Sequence, residues 1–136
     1  MPRQAQCQCG QLMLHIAADE PDIVLICTCR ECQVRSGASF AYGNFFKRAQ
    51  TAVTGEVKTW TRPTASGHTL TNHFCPNCGT NVFWAPDIRP EHYGVAGGCL
   101  TTAPPAPETA IFVSEKHEWL EIPENCKQFR RSVAEG

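Results

Sequence analysis

Apolar residues recur along this chain mostly with a period of two, the spacing of strands with one face buried. Leu12, Leu14 and Ile16 alternate with Met13 and His15, which suits a half-buried strand. Residues 22–27 (DIVLIC) contain a short unbroken apolar run after Asp22, the pattern of a strand buried on both faces. Further strands are predicted over 55–61 (GEVKTWT), 68–74 (HTLTNHF), 81–85 (NVFWA), 92–97 (HYGVAG) and 110–114 (AIFVS). Glycine and proline separate most of them. The 3.6-residue repeat of an amphipathic helix is missing from every long segment, and only 30–36 (RECQVRS) suits a turn or two of helix. The pattern predicts an all-β fold of small sheets packed together. The proline-rich stretch 103–108 (APPAPE) reads as a rigid loop between strands.

A length of 136 residues fits a single domain spanning 1–136. Such a chain buries enough surface to own a core without staples. Formal net charge is −1, with 12 Lys and Arg against 13 Asp and Glu, so the chain carries no basic stripe for nucleic acid or membrane surfaces. The start of the sequence, MPRQAQCQCG, lacks the apolar stretch of a secretory signal. No run approaches the roughly 18 apolar residues of a membrane span. A cytoplasmic protein is therefore expected.

That compartment changes the reading of the nine cysteines, which in a reducing environment point to metal ligation or catalysis rather than disulfides. Most fall into three clusters: Cys7 and Cys9 in CQCG, Cys27, Cys29 and Cys32 in CTCREC, and Cys75 and Cys78 in FCPNCGT. The last is a zinc-knuckle pattern, in which glycine after the second thiol permits the tight turn that aims backbone N–H groups at sulfur. A knuckle supplies two ligands and a structural zinc takes four. CQCG also ends in Cys-Gly, which favours Cys7, Cys9, Cys75 and Cys78 as one closed site. The alternative division, Cys29 and Cys32 with Cys75 and Cys78 as a zinc ribbon, leaves CQCG without a purpose.

Three thiols then remain in CTCREC. Three protein ligands with an open fourth position is the arrangement of a catalytic zinc, while a weakly held metal or a Cys29–Cys32 redox pair would use the same residues. Arg30, Arg35 and Lys47 could meet carboxylates of an acidic substrate, or serve as solvated surface. Cys99 and Cys126 stand alone and read as packed, reduced thiols. His68 and His73 fall on one predicted strand but on opposite faces, which argues against a shared metal, and His15, His92 and His117 have no ligand-like spacing.

Taken in order, CQCG, CTCREC followed by RSGASF, GEVKTWT, FCPNCGT and IFVSEKHEWLEI resemble the glutathione-dependent formaldehyde-activating enzyme family, which includes centromere protein V. The resemblance implies a β-tent fold of small antiparallel sheets around a structural zinc. It also implies that Cys7, Cys9, Cys75 and Cys78 hold that zinc, and that Cys27, Cys29 and Cys32 hold a second, more labile one. The implied activity is that of a carbon–sulfur lyase acting on the adduct of a small thiol such as glutathione and a small aldehyde, of the S-hydroxymethylglutathione type. A non-catalytic zinc-binding module with a vestigial second site is the alternative. A chromatin or cytoskeletal binder like centromere protein V would call for a basic run, which this sequence lacks. The chain departs from the family pattern at Thr28, commonly histidine, at GCLT (98–101), where an acid is often found, and at His73, where a basic residue is common.

Overall fold

The structure is a computed structural model describing residues 2–132. Eleven strands and a single α-helix follow one another among these residues. They are β1 (Arg3–Gln6), β2 (Met13–Ile16), β3 (Ile23–Cys27), α1 (Arg30–Ser36), β4 (Ala41–Lys47), β5 (Thr51–Thr54), β6 (Lys58–Pro63), β7 (Thr69–Phe74), β8 (Asn81–Pro86), β9 (His92–Ala96), β10 (Thr109–Ile111) and β11 (Lys127–Gln128). The fold is all-β, as the period-two pattern predicts. The helix occupies the very residues, 30–36, that suit one in the sequence.

The chain forms two compact units. The larger comprises the chain up to Asp22 together with Asn44–Pro104; the smaller comprises Ile23–Gly43 and the chain from Pro105 onward. β4 begins in the smaller unit and ends in the larger.

In the larger unit β1, β2 and β5 make a three-stranded antiparallel sheet. A second sheet there has the strand order β4-β9-β8-β7-β6. Leu12 and Leu14 are fully buried and Ile16 nearly so. They pack with Ala5, Phe46, Val82, Phe83, Val95 and Leu100 into one core, which also contains Cys7 and Cys75. The alternation that predicts β2 is therefore the inward face of a real strand.

In the smaller unit the strand order is β11-β10-β3-β4. β10 runs parallel to both β3 and β11, whereas β6, β7, β8 and β9 pair antiparallel in succession. A parallel neighbour needs a long crossover, and here it is the whole chain between β3 and β10. Ile26, Ala110 and Cys126 form a small core, with Phe40, Tyr42, Val113 and Ile122 packed on it.

β1, β4, β5 and β11 carry no period-two signal. The buried run of β4 includes Gly43 and Asn44, so no apolar alternation marks it. β6 and β10 cover only part of the predicted segments 55–61 and 110–114. His68 precedes β7, and its ring pairs with Asp87 at 2.9 Å.

One close approach in the larger unit carries a direct test. Gly94 on β9 is the cross-strand partner of Trp84 on β8, and a Cβ built at Gly94 would lie 2.2 Å from Trp84 Nε1. Trp84 is itself buried and meets Phe45 edge-on with ring centroids 6.3 Å apart. Gly94→Ala must displace the indole. We expect it to destabilise the fold by about 1–3 kcal/mol, read as a lower urea midpoint; an unchanged midpoint would show that Trp84 has room to move.

Candidate metal centre

Two loops of equal length build the first group of thiols, and both lie in the larger unit. In each, the first cysteine donates its N–H to the carbonyl five residues on: Cys7 to Leu12 at 3.0 Å and Cys75 to Thr80 at 3.0 Å. In each, the residue after the second cysteine is a left-handed glycine, Gly10 at φ 84° and Gly79 at φ 81°. A side chain at either position would be strained. The loops thus share a frame although one reads Cys-x-Cys and the other Cys-x-x-Cys.

The frame brings Cys7, Cys9, Cys75 and Cys78 together, with all four sulfurs within 4.8 Å of one another. Cys7 and Cys9 Sγ are 3.6 Å apart, and Cys9 and Cys75 Sγ 3.7 Å. A tetrahedral zinc with Zn–S bonds of about 2.3 Å requires sulfurs about 3.8 Å apart, so this donor set fits that ion. The surroundings suit thiolates. Leu12 N–H points at Cys7 Sγ at 3.3 Å, Cys78 N–H at Cys75 Sγ at 3.5 Å, and the Gln11 carboxamide donates to Cys75 Sγ at 3.1 Å. Gln11 is held by both backbone groups of Glu56.

Burial alone would raise the Cys75 thiol, but the Gln11 carboxamide and the N–H groups of Cys78 and Asn77 pull it below the usual range. Cys78 is lowered to about 5, chiefly by Thr80, whose hydroxyl lies 3.2 Å from its sulfur. Burial pushes Cys7 the other way.

The second group, Cys27, Cys29 and Cys32, lies in the smaller unit, again with all sulfurs within 4.8 Å. Local geometry explains the spacing. Cys27 ends β3, and in extended chain residues two apart share a side, so Cys29 joins Cys27 while Thr28 turns the opposite way into the protein. Cys29 is then the N-cap of α1, its sulfur accepting the N–H of Cys32 at 3.4 Å. The first helical turn carries Cys32 back to the other two thiols. Thiols of Cys27 and Cys29 hold the Cys32 sulfur well below the ordinary thiol range, and the Arg35 guanidinium adds to this. The same contacts with Cys29 and Cys32, reinforced by burial, push Cys27 up.

Arg30 and Arg35 belong to the unit that holds this cluster, and Lys47 belongs to the other. Among the described residues, no histidine enters either group of thiols. His15 bridges Gln4 and Thr54, His92 pairs with Asp22 at 2.9 Å, and His117 stacks on Trp119. His73 stacks on Phe83, and burial lowers its pKa. Cys99 packs against the larger core with its thiol raised to about 11 by burial, and Cys126 is buried in the smaller one.

Residues that support the second cluster leave little trace in the sequence. Thr28 is visible there only as a departure from the family pattern. Gln33 and Glu115, whose roles are described below, have no signal, because a hydrogen bond between chain segments has no periodicity.

Residues 2–115 match the family described as "Glutathione-dependent formaldehyde-activating enzyme". The chain belongs to that family. The crystal structure of a Rhodobacter sphaeroides protein, a structural-genomics target, resembles this chain with a TM-score of 0.59 at 20% identity, covering 75% of this chain and 91% of that one. That likeness concerns the fold. No curated protein matches the chain. Family membership supports a formaldehyde-activating, glutathione-related role, and both thiol groups could hold a metal ion. Among the described residues, no helix is long and apolar enough to cross a membrane.

Proposed function

We propose that this formaldehyde-activating-family protein is a zinc-dependent carbon–sulfur lyase that joins and separates a small thiol, glutathione or one like it, and a small aldehyde. In this reading Cys7, Cys9, Cys75 and Cys78 hold a structural zinc, and Cys27, Cys29 and Cys32 hold a second, catalytic one. The observation that carries the proposal is the contrast between the two groups: four thiols in one, three in the other. Four close a tetrahedral shell and three leave a position for a ligand from solution.

Bound zinc at the three-thiol group would supply a cationic position that favours a substrate thiol in its thiolate form. Cys27, Cys29 and Cys32 as thiolates give that centre a net charge of −1. Such a centre is a weaker Lewis acid than one built on neutral imidazoles, which supports thiol chemistry over water activation. Arg35, beside Cys32, offsets the accumulated negative charge and so eases the approach of another sulfur anion. In this reading Arg30, at the start of the same helix, would meet the carboxylate of an acidic substrate. In the forward direction the sulfur–carbon bond forms at the aldehyde carbon, and the thiol's proton ends on the carbonyl oxygen. The reverse reaction breaks the same bond.

The uncatalysed addition of thiols to formaldehyde is fast, so the decisive measurement is exchange between free and hydroxymethylated glutathione at equilibrium, followed by NMR. We expect the zinc-loaded protein to accelerate this exchange and Cys29→Ala to abolish the acceleration. With two zincs per chain verified, no acceleration across several thiols would leave a zinc-stabilised module without this chemistry.

A further inference from the structure

The three-thiol loop is gripped from behind by a segment more than eighty residues away in sequence. Thr28, between the first two cysteines, is fully buried. Its N–H donates to Ile111 O at 3.1 Å and its hydroxyl to Phe112 O at 2.8 Å. Ile111 is also the register partner of Cys27.

Gln33, on the first turn of α1, is nearly as buried, and its carboxamide donates twice: to Thr28 O at 2.9 Å and to Glu115 O at 3.1 Å. Glu115 returns the contact, its carboxylate accepting Arg30 N–H at 3.0 Å. Thr28 and Arg30, the two neighbours of Cys29, are thus both tied to 111–115.

The anchoring segment is itself under constraint. Phe112 has φ 57° and ψ 37°, the one left-handed non-glycine among the described residues. Such a conformation persists only where neighbours enforce it. Here Phe112 N–H donates to Arg131 O at 3.0 Å and Val113 N–H to Phe129 O at 3.1 Å. Ser114 Oγ donates to Arg130 O at 2.8 Å, and the Arg131 guanidinium lies over the Phe112 ring. The residues that impose the strain, 129–131, lie beyond the stretch that matches the family.

We propose that Thr28 and Gln33 are positioning residues for the second metal: they hold Cys27, Cys29 and Cys32 in binding geometry before the ion arrives, by fastening the loop to Phe112–Glu115. This rests on the reading of the three-thiol group as a metal site, and extends it to residues that touch no metal. The left-handed turn at Phe112 is what aims its carbonyl at the Thr28 hydroxyl. A thiol loop held this way loses little freedom when it binds an ion, so removing the hold lowers affinity at this site and leaves the four-thiol site alone.

The test is Thr28→Val, which keeps the shape and deletes the hydroxyl, with Thr28→Ser as the rescuing variant and Gln33→Met as an independent probe. Protein loaded with Co²⁺ reports each site by thiolate charge-transfer absorption, and transfer of zinc to a colorimetric chelator reports retention. We expect Thr28→Val to release the more labile metal about tenfold faster, with an unchanged slow phase and a melting temperature close to wild type. Thr28→Ser restores most of the retention, and Gln33→Met behaves like Thr28→Val. If both Thr28→Val and Gln33→Met keep wild-type release from a protein that holds two metals, the positioning role is overturned and the catalytic-site reading stands. A wild-type protein that takes up one metal only overturns both. Should Thr28→Val not fold, Gln33→Met decides by the same criterion.

Discussion

Cys78→Ala is expected to yield an insoluble or unfolded protein. Cys7 and Cys75, its partners, are almost entirely buried beside Leu12, Leu14, Phe46 and Val82. A metal held there is part of the core of the larger unit. Structural zinc contributes on the order of 10 kcal/mol to folding in zinc-finger peptides, comparable with the whole stability of a typical domain, about 5–15 kcal/mol. Three remaining thiolates would hold the ion far less well, and a loop that loses its ion leaves polar sulfurs buried without a partner charge. The check is the soluble fraction on expression, followed by circular dichroism and thermal melting of whatever is recovered. Wild-type melting of Cys78→Ala would rule out the four-thiol assignment.

Cys29→Ala should separate the two groups by sparing the fold while removing the second metal. The substitution deletes one of three ligands and also the N-cap of α1, since Cys29 Sγ accepts the N–H of Cys32. Loss of a cap costs about 0.5–2 kcal/mol, which the rest of the fold absorbs. Gln33 and Thr28 still fasten the loop to Phe112–Glu115. Metal analysis should therefore fall from two ions to one per chain, with a modestly lower melting temperature and no acceleration of thiol exchange. Retention of both ions, or unfolding as complete as that of Cys78→Ala, would show that the cysteines are divided differently.

The two substitutions differ because the groups occupy different structural contexts. Both loops of the four-thiol group adjoin the sheets of the larger unit, so that site closes a circuit between positions 7 and 75. The three-thiol group is local in sequence, confined to the end of β3 and the first turn of α1. A tie between distant segments restricts the unfolded chain more than a local one does, which is why its loss is felt globally.

Short-range physics accounts for everything that was legible in the order of residues alone. The alternation of Leu12, Leu14 and Ile16 requires one buried strand face, and the structure places all three in the core. Cys-Gly at 9–10 and again at 78–79 marks two turns that only a residue tolerating positive φ completes, and both glycines adopt it. Odd and even spacing within CTCREC puts Cys27 and Cys29 on one side, and the helical pattern of 30–36 returns Cys32 to them. Long-range pairing decided the rest. β4 is buried without alternation, its buried run including Gly43 and Asn44, and β1 and β5 are strands through pairing, chiefly with β2. The parallel joining of β10 with β3, the left-handed turn at Phe112 and the grip of Gln33 on Glu115 depend on distant segments of the chain meeting in space. No local propensity encodes such contacts, because their energy exists only once both partners are in place.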